Sequence, residues 1–127
     1  MPDWILRQVP KANKWLKDRA YDSVLKWLKE QLQEAPEFIT ATTADDDDME
    51  RVNLLSTLAS NRPDVGASAG IHKEVTLILV KAFYADGVIN MRVGKNRSTA
   101  FLDACGQGNF EIAEVLLERG AGFSSLG

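Results

Sequence analysis

Two glycines, Gly87 and Gly120, stand 33 residues apart, and each closes a segment of the same kind. Leu79-Val80-Lys81-Ala82-Phe83-Tyr84-Ala85-Asp86 precedes the first, and Ile112-Ala113-Glu114-Val115-Leu116-Leu117-Glu118-Arg119 precedes the second. A glycine just past such a run ends a helix, because it enters the left-handed region that a side chain resists. Endings that recur at a period of roughly 20–50 residues mark stacked units, each too thin to bury its own apolar face. The stretch 94–121 fills in the later unit: two short helices joined at Gly108-Asn109, the second stopping at Gly120-Ala121. A stack of this kind turns the question from what the chain catalyses to what it holds.

The totals are compatible with one domain. A chain of 127 residues, 45% hydrophobic and 26% charged, buries roughly two-thirds of its unfolded surface and so supports one modest core. A net charge of −3 and a pI near 5.1 give no general attraction for nucleic acid or anionic membranes. The single cysteine cannot form an internal disulfide, which points to a reducing intracellular compartment, cytoplasmic or nuclear, and away from secretion. No run of about 18 apolar residues offers a membrane span, and Met1-Pro2-Asp3-Trp4 does not open like a signal peptide. Charge is uneven. Residues 1–35 carry seven Lys/Arg against five Asp/Glu, residues 36–66 two against seven, and residues 67–127 six against six.

Apolar spacing places helices along the rest. Val24, Leu25, Leu28 and Leu32 form a stripe with Trp27 beside it, so 12–34 reads as helix, with Asp22 or Ser23 able to cap a break near Ala20-Tyr21-Asp22. Pro10 should divide this stretch from Trp4–Val9, and Pro36 should end it. Residues 36–48 read as an acidic loop, and Asp47 or Asp48 as the N-cap of a helix over Met49–Asn61 with Val52, Leu55, Leu58 and Ala59 on one face. Loop signals cover Arg62–Gly70. Residues 71–85 are apolar nearly all round, which suits a helix in the middle of something. Val88–Ser98 has the turn residues of a hairpin, Thr99 caps a helix from Ala100 to about Gln107, and Glu111 lies in the first turn of the final helix. The buried stripe of that helix reads Ile112, Val115, Leu116 and Leu117.

These residues resemble an ankyrin repeat. The match runs through Thr99, Ala104, Gly108, Asn109, Glu111, Ile112, Leu116, Leu117, Gly120 and Ala121, with Cys105 where a small packing residue is common. It departs where Arg97 replaces the usual hairpin Gly, Ala100 the Pro, Leu102 the loop-tying His and Gly122 the final Asp. It is close over 98–121, partial over 74–97 and generic before that. The resemblance implies an all-α fold, a stack of ankyrin-like helix-turn-helix repeats with a divergent N-terminal helical cap. One domain then divides into capping helices 1–35, the acidic loop 36–48, a degenerate repeat 49–90 and the best-matching repeat 91–127. The last pair needs a cover, and further repeats are the expectation. A partner over Ile112, Val115 and Phe123 is the other possibility.

Chemistry-bearing clusters are sparse. Asp45–Asp48 with Glu50 lacks the alternation and central Gly of a calcium loop. His72 and Cys105, the only residues of their types, fall short of a zinc set. Asp103, Glu111 and Glu114 have no accompanying nucleophile and read as helix-surface charges. No catalytic, cofactor or metal residues are assigned. Trp4, Trp15 and Trp27 with Lys11, Lys14, Lys17 and Arg19 read as a capping helix, or else as a helix that docks a partner. The resemblance implies that loop tips and the concave face of the first helices bind another protein, or another domain of a longer polypeptide. Met91, Arg92, Lys95 and Arg97 at the hairpin and Leu102, Asp103 and Gln107 beside it are the candidate contacts. The expected function is a non-enzymatic protein-interaction module. A small structural or accessory subunit of a large assembly is the alternative.

Overall fold

The computed structural model describes residues 7–44, 51–63, 69–94 and 97–119. They are all-α apart from one two-residue ribbon. The helices are α1 (Gln8–Lys17), α2 (Tyr21–Glu34), α3 (Leu54–Ser60), α4 (Ala69–Ala85), α5 (Ala100–Gly106) and α6 (Phe110–Glu118), with a 3₁₀ turn at Pro36–Phe38. Strands β1 (Thr43–Ala44) and β2 (Arg51–Val52) pair antiparallel, Thr43 opposite Val52 and Ala44 opposite Arg51. Among the described residues no helix is long and apolar enough to cross a membrane.

Helices pack in consecutive pairs, α1 on α2, α3 on α4 and α5 on α6. The pairs form two rows, since α3 packs on both α1 and α5, while α4 packs on both α2 and α6. The helices that carry Leu79 and Ile112 are therefore neighbours, and both side chains are fully buried. Leu16, Val24, Leu28, Leu54, Leu58, Phe83 and Leu116 complete the spine of one continuous core. Each fully buried Leu or Phe contributes about 1.5–3 kcal/mol of transfer free energy. That burial holds the short helices, because a seven-residue helix such as α3 does not persist alone in water.

The turns explain where helices stop. At Gly108 the N–H donates to the Cys105 carbonyl at 3.2 Å and that of Asn109 to Ala104 at 2.8 Å. Gly87 and Val88 make the same pair of bonds to Tyr84 and Phe83, at 3.1 and 3.0 Å. Both glycines are left-handed, with φ of +73°. Arg19 fills the same role after α1 with φ of 60°, and Ala20 then donates to Trp15 at 2.8 Å. Three layers are tied where these turns meet: Arg19 Nε donates to the Arg62 carbonyl at 2.7 Å, and Asn109 Nδ2 to the Ala59 carbonyl at 3.4 Å. Deeper between α1 and α3, the Thr57 hydroxyl donates to Asn13 Oδ1.

Several sequence expectations are corrected. Pro10 lies inside the first turn of α1, where its missing N–H has no intrahelical acceptor to lose. Ala20, not Asp22 or Ser23, precedes α2, and no side chain caps it. The helix expected from Met49 begins at Leu54, because β2 keeps 51–52 extended and Asn53 caps instead of Asp47 or Asp48. Asn53 Oδ1 accepts from the Ser56 N–H at 2.8 Å, and Ser56 Oγ accepts from the Asn53 N–H at 3.2 Å. Leu54 to Ala59 are buried on every side, so α3 has no outward face at all. Ala69 and Gly70 already belong to α4 rather than to a loop. Leu32 and Leu117 leave their expected stripes, at 47% and 40% exposure, and Trp27 and Ala113 are buried instead. Cys105 is exposed, and Ala104 alone makes the close approach. Ile112 needs no external cover because α4 already supplies one, and Phe123 lies outside the described residues.

Candidate functional site

The two links that join successive helix pairs carry the site. The β1–β2 ribbon leads into α3, and a bridge between Val93 and Ser98 leads into α5. Asn53 and Thr99 cap those helices at equivalent corners, Thr99 accepting from the Leu102 N–H at 3.2 Å. The links are bonded to each other, since the Gly94 N–H donates to the Arg51 carbonyl at 2.7 Å. Gly94 has φ of +82° and open space where a Cβ would stand.

A cleft of about 340 Å³ opens along this seam, lined by Thr42 and Arg51 from one link and Met91, Arg92, Gly94 and Arg97 from the other. Arg51, Arg92 and Arg97 are all exposed, and no carboxylate lines the cleft among the described residues. Arg51 Nη1 lies 3.4 Å from the Thr42 hydroxyl, and Arg92 Nη1 donates to the Arg97 carbonyl at 3.3 Å. Arg97 holds φ of 49°, a left-handed conformation that costs a side-chain-bearing residue roughly 1–2 kcal/mol relative to glycine. A cluster of guanidinium groups on adjoining loops suits a partner rich in anionic oxygen.

The structure thus brings Met91, Arg92 and Arg97 together, while Lys95 lies outside the described residues. Leu102, Asp103 and Gln107 sit on α5 and its C-terminal cap and do not line the cleft. Leu102 and Gln107 are exposed there. Asp103 is half-buried and accepts from the Ser98 hydroxyl at 2.5 Å, so it fastens the Val93–Ser98 link to α5. Burial pushes its carboxyl above the ordinary range, with hydrogen bonds from Ser98 and Ser60 opposing the rise. Sequence reasoning missed Arg51 and Thr42. Arg51 is the first cation after four aspartates, but its expected place on a helix hid its meeting with Arg97.

The other clusters resolve differently. His72 is buried on α4, its ring 4.9 Å edge-on from Tyr21, and its Nε2 has no hydrogen-bond partner among the described residues. Burial lowers its pKa, while the nearby Glu111 carboxylate pulls the other way. His72, Glu111 and Glu114 share a groove of about 260 Å³ between α4 and α6. No three His, Cys, Asp or Glu side chains among the described residues are placed to hold a metal ion. At the N-terminus, Trp27 Nε1 donates to Gln8 Oε1 at 2.8 Å and Lys11 sits 5.3 Å over the Trp15 ring, which binds this aromatic segment into the fold. Trp4 and the tract Asp45–Asp48 lie outside the described residues.

Comparison with protein-family models, with curated proteins and with solved structures finds no match to this chain.

Proposed function

We propose that this chain is a non-enzymatic protein-interaction module of the ankyrin-repeat type, and that it engages an acidic partner through the cleft at its loop seam. Three helix pairs in two rows, with linking loops bonded side by side, support the repeat reading. The observation that carries the binding reading is the convergence of Arg51, Arg92 and Arg97 from two successive links onto one exposed cleft. The Ser98 hydroxyl of the second link is held by Asp103, and the Gly94–Arg51 bond joins the two links, which supports a cleft shared between them.

The test is affinity capture by the intact chain, compared with a variant carrying Arg51→Glu, Arg92→Glu and Arg97→Glu. All three sites are exposed, so folding should be unchanged by circular dichroism. The wild-type chain should retain acidic proteins that the variant loses, and rising salt should release them. Capture of an identical set by both proteins would remove the cleft from the binding surface.

A further inference from the structure

We infer, building on the reading of the cleft as an acidic-partner site, that Asp103 is a positioning residue for it. Its carboxylate holds the second link at Ser98, next to Arg97, and partner affinity depends on that hold although Asp103 does not line the cleft.

Arg97 and Ser98 are neighbours in the chain that serve different surfaces. Arg97 lines the cleft, while the Ser98 hydroxyl donates to Asp103 Oδ1 on α5 at 2.5 Å. Arg97 also has φ of 49°, a left-handed backbone that is costly with a side chain and persists only where the surroundings fix it. Part of that fixing is internal to the link. The Arg97 N–H donates to the Gly94 carbonyl at 3.1 Å, and Val93 and Ser98 exchange backbone bonds at 3.1 and 3.2 Å. The rest joins the link to its neighbours. The Gly94 bond to Arg51 ties it to the first link, and the Ser98 bond to Asp103 ties it to α5.

Asp103 reaches the second helix pair as well, because Ser60, the last residue of α3, also bonds its carboxylate. One half-buried group thus meets hydroxyls from α3 and from the link. A carboxylate suits such a joint, since it accepts several hydrogen bonds at once and binds each more strongly than a neutral oxygen does.

Charge and position make opposite demands here. An anion close to a cationic cleft disfavours an acidic partner, so on Coulomb grounds alone its removal strengthens binding. If Asp103 acts by position, its removal weakens binding in spite of the charge it takes away.

The experiment titrates the full chain with a fluorescent hexaglutamate peptide at about 50 mM salt, where charge is weakly screened. Asp103→Ala and Ser98→Ala should each weaken binding about threefold to tenfold, the second with every charge in place. The double variant should lose little more than either alone, because both remove the same bond. Asp103→Asn keeps an oxygen for the Ser98 hydroxyl and sheds the charge, so it should bind at least as tightly as the wild type. Unchanged or tighter binding by either alanine variant overturns the inference and leaves the acidic-partner function standing. An asparagine variant as weak as Asp103→Ala also overturns it, because the loss then follows the charge and not the bond. If the wild-type chain binds no hexaglutamate, and the triple Glu variant captures the wild-type set of proteins, the acidic-partner function falls and this role falls with it.

Discussion

His72 illustrates how one side chain can link this fold to its solvent. Its imidazole is buried between α4 and α2 against Tyr21, with Lys73 and Glu74 on its own helix and Glu111 and Glu114 facing it from α6. Burial lowers its pKa in the folded chain below the ordinary 6.5, so the unfolded chain takes up a proton that the native state resists. The stability this neutral imidazole permits is fully present above about pH 6.5 and falls as pH drops towards the lowered native value. Urea unfolding followed from pH 8 to pH 5 should therefore show a declining midpoint, and His72→Phe should remove much of that decline. An identical slope in the two proteins would show that other groups set the acid response. Nothing in the sequence marked His72 as buried, because the spacing that assigned it to a helix did not say which side α2 would cover. Thr99 was legible as a cap for the opposite reason: its role depends only on the three residues that follow it.

At the scale of elements, the long apolar helix and the two short C-terminal ones were readable, and α3 was not. The near-continuous apolarity of 71–85, the Thr99 cap and the glycines Gly87, Gly108 and Gly120 in the sequence locate α4, α5 and α6 without reference to the rest of the chain. Helix α3 is too short to show a period, and its start depends on β2 pairing with a strand seven residues upstream, Ala44 opposite Arg51. Its boundary is thus decided by a contact that no local window contains. The local signal that existed was Asn53 with Ser56 three residues on, a capping box masked by the aspartates before it. Asn53→Ala should cost about 1–2 kcal/mol, the upper part of the usual range for caps, because both partners are buried. Denaturant unfolding checks this, and Lys26→Ala on the exposed side of α2 serves as the milder control. A loss below about 0.5 kcal/mol would mean that packing alone fixes where α3 begins.

For the molecule as a whole, α3 decides how the layers behave together. Linear repeat arrays can lose their end units one at a time, since each unit meets only its neighbours. Here the central first-row helix is buried on every side and touches both flanking first helices. Stripping away either outer pair would uncover Leu54, Leu55 and Leu58, a loss on the order of several kcal/mol. Unfolding should accordingly be a single transition, with tryptophan fluorescence from Trp15 and Trp27 and far-ultraviolet dichroism superimposing. Separate transitions would show that the first pair melts by itself. The sequence carried the all-α class and the pairing of α5 with α6. It did not carry the seam between successive links, because that surface is assembled by tertiary packing from Thr42 and Arg51 on one side and from Met91, Arg92, Gly94 and Arg97 on the other.

The Gly94–Arg51 bond has a further consequence. It joins the link ahead of the second helix pair to the link ahead of the third, and the arginine cleft straddles that junction. Whatever lodges there touches two layers at once and behaves as a clasp between them. Occupancy and interlayer cohesion become reciprocal: a seated guest resists separation of the layers, and any change that loosens their contact weakens the guest's hold by the same free energy.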